Sequence, residues 1–112
     1  MDASKQEIYF IAFRMQVGAI RRELPMIGLC EPGRAVVLEA LDLVEAQVRE
    51  WAAEGMVTVP QLQESLGALM RLPDELRIVK EAGQDGHLSL EVLRAFGILP
   101  QREEAGGGGP IN

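Results

Sequence analysis

The sequence predicts an all-α protein with two long antiparallel helices, three short helices and a flexible C-terminal tail. Two long stretches carry apolar residues at steps of three and four, which is the period of an amphipathic helix. Prolines and glycines divide the remainder into short helical stretches. Aromatic residues make up 4% of a chain that is 47% apolar, and a core of aliphatic side chains favours helix packing over a β-sandwich.

The first long helix is predicted from Ala3 or Ser4 to Leu24, because Pro25 disfavours helical geometry in the residue before it. One face carries a seam of apolar residues: Phe10, Phe13, Val17, Ile20 and Leu24. A second apolar row lies beside it: Ile8, Ile11, Ala12, Met15 and Ala19. A helix that is apolar over more than half of its circumference must contact two neighbours, in its own chain or in another.

The second long helix follows a connecting loop, residues 26–34, and ends near Glu54 before Gly55. Its seam consists of Val37, Leu41, Val44, Val48 and Trp51. Two such helices, each about 30 Å long, pack naturally as an antiparallel hairpin over residues 1–55. Helix one is mildly basic and helix two is acidic, so the two can attract one another within or between chains.

Three short helices are predicted to form a cap over residues 56–100. Thr58 and Gln61 match a capping box for helix three, and Pro73 separates helix three from helix four. Helix four closes at Gly83, and Ser89 caps helix five. Residues 1–100 are therefore expected to form one domain, and the Gly-rich residues 101–112 a flexible tail.

Composition restricts the class of partner. The formal net charge is -6, which disfavours binding to the phosphates of nucleic acid. The apolar run at residues 8–13 is too short to cross a membrane. Cys30 is the only cysteine, so no internal disulfide forms, as suits a cytoplasmic protein. Nine arginines and two lysines are typical of a GC-rich bacterial genome.

No catalytic constellation or cofactor motif is recognisable, so we do not expect an enzyme, a bound metal or a cofactor. His87 is the only histidine, and the nearby Asp85 and Ser89 are ordinary turn residues. Residues 81–92 resemble part of a calcium-binding EF-hand loop. Glycine and valine, however, occupy two of the positions that need oxygen ligands. A helix–turn–helix connector is the better interpretation.

A DNA-binding regulator is the alternative function. Residues 58–67 resemble the opening of a bacterial helix-turn-helix, and the helix predicted after Pro73 would then read the DNA. Two departures weaken the resemblance. Gln63 stands where that motif has a small residue, and the second helix carries Asp74, Glu75 and Glu81 against two cations.

The leading hypothesis is a protein–protein interaction module that forms a homodimer through helix one or helix two. The two seams and the second row of helix one hold more apolar helical surface than one subunit readily covers. The residues expected to bind a partner or a second copy are Phe10, Phe13, Val17, Ile20, Val37, Leu41, Val44, Val48 and Trp51. Such a module can serve as an adaptor, a secretion-type chaperone, an inhibitor or a regulatory subunit.

Overall fold

The computed structural model describes residues 3–55 and 57–98, and these residues form helices without any strand. The elements are α1 (Ala3–Ile27), α2 (Glu31–Glu54), α3 (Val59–Glu81), a 3-10 helix (Asp85–His87) and α4 (Leu90–Phe96). The all-α prediction is confirmed. The predicted count of two long and three short helices is wrong, because α3 replaces the third and fourth predicted helices. The predicted tail, residues 101–112, lies outside the described residues.

Helix α3 passes through Pro73 without a break. A proline inside a helix lacks the N–H that would bond to the carbonyl four residues earlier, here Leu69. The side-chain amide of Gln16 on α1 donates to the Leu69 oxygen instead, at 3.4 Å. Pro73 itself is buried. Packing against α1 therefore keeps α3 helical at a residue that predicts a helix boundary.

Helix α1 also extends past a proline, so its predicted end at Leu24 is wrong by about one turn. Pro25 lies in the last turn, where a missing N–H removes only one helical bond before the helix ends. The end comes at Gly28, which has a φ of 78° and donates its N–H to the Leu24 oxygen at 3.2 Å. That left-handed conformation suits glycine.

Helix α2 begins at Glu31, so the predicted loop over residues 26–34 is too long. The remaining helix ends agree with the residues that predict them. Gly55 terminates α2 with a φ of 68° and donates to the Trp51 oxygen at 2.8 Å. Thr58 and Gln61 form the capping box of α3. The Ser89 hydroxyl accepts the Val92 N–H at the start of α4, at 3.2 Å.

Helix α1 lies between α2 and α3, which make few contacts with each other. It runs opposite to α2, because Arg21 pairs with Asp42 while Phe13 contacts Trp51 edge-on, with ring centroids 6.3 Å apart. It runs in the same direction as α3. Gln63 donates to the Tyr9 hydroxyl at 2.8 Å near one end, and Gln16 reaches Leu69 further along.

Buried side chains from all four helices form one cluster. The 3-10 helix contacts both α2 and α3, and α4 packs on α2. These two elements therefore cover parts of α2 and α3 that α1 does not contact. The molecule measures 43 × 38 × 18 Å along its principal axes. Helices pack 8–10 Å apart, so the shortest dimension holds about two layers of helices, and part of α1 stays uncovered.

Candidate functional site

The nine residues predicted to bind a partner lie mainly inside the subunit. Seven are buried: Phe13, Val17, Ile20, Val37, Leu41, Val44 and Val48. Phe10 and Trp51 are half-buried at the edge of the same cluster. Their contacts are with other parts of the same chain. As a set of partner-binding residues they stay a prediction. Three of the exposed large apolar side chains belong to the neighbouring row of α1, and the others are Met26, Leu38, Leu43, Met70 and Ile78.

The second apolar row of α1 remains largely in solvent. Ile8 is 65% exposed, Ile11 is 45% exposed and Met15 is 69% exposed. These three residues follow one another at steps of three and four, so their side chains line one strip of the helix. We call this strip the α1 outer face. Ala12 and Ala19, the other members of the row, are half-buried at its margin.

A groove of about 260 Å³ runs between α1 and α2 beside the α1 outer face. Its apolar lining consists of Phe10, Ile11, Val48 and Ala52. Its charged lining consists of Glu7, Arg14, Glu45 and Arg49. Ile11 belongs to both the groove and the outer face, so the two form one continuous surface. Two of the predicted partner-binding residues, Phe10 and Val48, line this groove.

One charged residue of the groove already has an ion-pair partner within the chain. Glu45 accepts two hydrogen bonds from the Arg21 guanidinium, at 3.1 and 3.2 Å, and Asp42 binds the same guanidinium. The hydrogen bond with Glu45 and the adjacent acids raise the pKa of Arg21 above its ordinary value. The expected attraction between a basic α1 and an acidic α2 therefore operates within one subunit.

The other three charged residues of the groove are not engaged in this way. Within residues 5–55 and 57–98, neither Glu7, Arg14 nor Arg49 forms an ion pair. Glu7 and Arg14 are exposed and lie one heptad apart on the groove side of α1. Both side chains can therefore form ion pairs with oppositely charged residues of another molecule that contacts the α1 outer face.

A second hollow, of about 310 Å³, lies where the C-terminal ends of α1 and α3 meet. Its lining includes Met26, Arg77, Lys80 and Glu81. Arg77 already pairs with Asp74, which is 85% exposed. Solvated charges of this kind contribute little binding free energy. The apolar groove beside the α1 outer face is the better candidate site.

No group of three histidine, cysteine or acidic side chains could hold a metal ion in the part of the chain that the structure describes. His87 is exposed, and Cys30 is half-buried at the start of α2. The two segments compared with a helix-turn-helix are parts of one continuous α3. The turn that this motif requires is therefore missing from α3, and the DNA-binding alternative loses the feature on which it rested.

No protein-family model matches the chain, and no curated protein or solved structure is significantly similar to it. Among the described helices, none has a stretch long and apolar enough to cross a bilayer.

Proposed function

We propose that this chain is a small helical protein–protein interaction module that works as a homodimer. Its role would be that of an adaptor, a secretion-type chaperone, an inhibitor or a regulatory subunit. The observation that carries the proposal is the α1 outer face, whose three large apolar side chains are 45–69% exposed. A contiguous apolar patch with a charged rim is typical of an interaction surface.

The energetics support a binding role for this face. Removing a large aliphatic side chain or a methionine from water contributes about 1.5–3 kcal/mol. A single exposed apolar residue is common on any protein surface. Ile8, Ile11 and Met15, however, are consecutive on one strip and border a groove with an apolar lining. One partner helix could cover all of them at once.

The setting proposed for this module is the bacterial cytoplasm. A single cysteine suits a reducing compartment, and the excess of arginine over lysine supports the bacterial origin. With a net charge of -6, the partner would be a protein surface in preference to nucleic acid.

Sedimentation equilibrium on the full chain tests the proposal. We expect the wild-type mass to exceed the 12.3 kDa of one chain as the concentration rises from about 1 to 100 µM. Ile8→Glu places a charge on the α1 outer face and should raise the dissociation constant by about tenfold or more. The exposed helical position tolerates glutamate, and circular dichroism checks that helicity is retained.

Ile78→Glu is the matched control. Ile78 lies on α3 and is 66% exposed, against 65% for Ile8, so the same substitution changes the same charge and a similar exposed area. We expect Ile78→Glu to associate like the wild type. A fully helical wild type that stays at the mass of one chain throughout this range would overturn the proposed homodimer.

A further inference from the structure

The α1 outer face has the pattern of a short coiled-coil seam. Ile8, Ile11 and Met15 occupy successive core positions of a heptad repeat. On the groove side of this seam, Glu7 and Arg14 occupy equivalent flanking positions one heptad apart. On its other side, the corresponding positions are Lys5, Ala12 and Ala19. Acidic and basic residues therefore occur together on one flank only, and the part of the other flank level with Ile11 and Met15 is uncharged.

The distribution of charge distinguishes a parallel from an antiparallel partner helix. In a parallel pair, the groove-side flank of one helix meets the opposite flank of its partner. Glu7 and Arg14 would then face alanines. In an antiparallel pair related by a twofold axis, each flank meets the same flank of the other copy. Glu7 can then face Arg14 of the other copy, and the twofold axis repeats this contact.

The charges also select the register of the antiparallel pair. An axis between Ile8 and Ile11 packs Ile8 of one copy against Ile11 of the other and brings Glu7 towards Arg14. An axis one layer further along, between Ile11 and Met15, would bring Arg14 towards its own symmetry mate. Like charges at such flanking positions oppose association.

We infer that a second copy of this chain lies antiparallel along the α1 outer face, with Ile8 packed against Ile11 and Glu7 paired with Arg14 in both directions. This inference rests on the proposed homodimer and adds the identity and orientation of the paired surfaces. Both charged side chains are exposed and have no ion-pair partner among the described residues. In this arrangement only the N-terminal part of α1, which contains Ile8 and Ile11, overlaps with α1 of the second copy. The contact area is therefore small and the dimer is reversible.

A charge-swap experiment tests the orientation by sedimentation equilibrium. Glu7→Arg replaces two attractive contacts per dimer with two repulsive ones, as does Arg14→Glu, and each should weaken association by about tenfold. The double variant Glu7→Arg/Arg14→Glu should recover wild-type association. An equimolar mixture of the two single variants should form dimers at concentrations where each variant alone is monomeric. Raising the salt concentration should shrink these differences.

Helix α3 offers a matched control. Glu64 and Arg71 are also a glutamate and an arginine one heptad apart, both exposed. Glu64→Arg and Arg71→Glu should leave association unchanged. Suppose that Ile8→Glu abolishes the dimer but the swaps at Glu7 and Arg14 have no effect. The orientation inferred here is then wrong, while the interaction face stands. A monomeric wild type would remove the proposed function and this inference together.

Discussion

At the scale of single residues, the carboxylate of Asp85 connects two segments that are far apart in the chain. It accepts the backbone N–H of Cys30 at 2.8 Å, immediately before α2 begins. A carboxylate at this position satisfies a free N–H near the positive end of the helix dipole. The close approach needs Gly33, because a Cβ there would lie 2.5 Å from the Asp85 carbonyl oxygen.

This contact makes part of the stability dependent on pH. The hydrogen bond from the Cys30 N–H lowers the pKa of Asp85 below its ordinary value. A group with a lowered pKa in the folded state stabilises fully above its unfolded pKa of about 3.9 and loses this effect as the pH falls through the folded value. We expect the melting temperature of Asp85→Asn to be lower than that of the wild type at pH 7, and this gap to close towards about pH 2.

Thermal unfolding followed by circular dichroism at both pH values measures this gap. Asparagine retains an oxygen that can accept the Cys30 N–H, so the variant isolates the effect of the charge. Asp74→Asn removes the same charge from a side chain that is 85% exposed and controls for the altered net charge. A gap of equal size at both pH values would contradict the assignment.

The sequence predicts that residues 84–87 form a polar turn, and this segment is the short 3-10 helix with its flanking residue. It does not predict which distant N–H the Asp85 carboxylate binds. Local preference explains why aspartate occurs in a turn, whereas its partner depends on how α2 and α3 are placed. Cys30 and Asp85 are 55 positions apart.

At the scale of secondary-structure elements, the predicted and observed helix ends differ mainly at two prolines. The seam periodicity and the caps at Gly55, Thr58 and Ser89 place most helix ends, because these signals act over one turn. Pro25 and Pro73 predict ends that do not occur. At Pro73 the compensating donor, Gln16, comes from another helix, which no local signal can reveal.

A double-mutant cycle tests this compensation between α1 and α3. Gln16→Met removes the amide that donates to the Leu69 oxygen and should lower the free energy of unfolding by about 0.5–1.5 kcal/mol. Pro73→Ala restores a backbone N–H that can donate to the same oxygen. In that background Gln16→Met should cost less, with a coupling energy of about 1 kcal/mol. Urea denaturation of the four proteins gives the cycle.

Gln63→Met is the control for this cycle. Gln63 also donates its side-chain amide across the interface of α1 and α3, but to the Tyr9 hydroxyl. Its substitution should cost the same in the wild-type background and in the Pro73→Ala background, because it does not involve the Leu69 oxygen. An equal cost of Gln16→Met in both backgrounds would mean that Gln16 does not replace the bond missing at Pro73.

At the scale of the whole molecule, α1 has two apolar rows, and the fold covers only one. The sequence predicts both rows and the need for two neighbours. It does not predict that the two neighbours would be α2 and α3, both meeting the seam side, because steps of three and four alone carry no information about tertiary order. The row of Ile8, Ile11 and Met15 is consequently the exposed one.

Dimerisation through this row would couple stability to concentration. A dimer that forms only from folded chains gains stability by mass action. We expect the melting temperature of the wild type to rise by about 3–5 °C for a tenfold increase in concentration once dimers predominate. Ile8→Glu should remove this dependence and Ile78→Glu should preserve it. A wild-type melting temperature that does not change with concentration would contradict the coupling.

The central position of α1 also affects the order of events on the ribosome. Gln16 and its acceptor Leu69 are separated by 53 positions, and translation adds about 5–20 residues per second. The nascent α1 must therefore wait about 3–10 s for the helix that will cover its second side. During that interval the side of α1 that packs on α3 is uncovered, together with the α1 outer face. At this stage the nascent chain is most accessible to chaperones, and it can also associate incorrectly with other nascent chains on the same polysome.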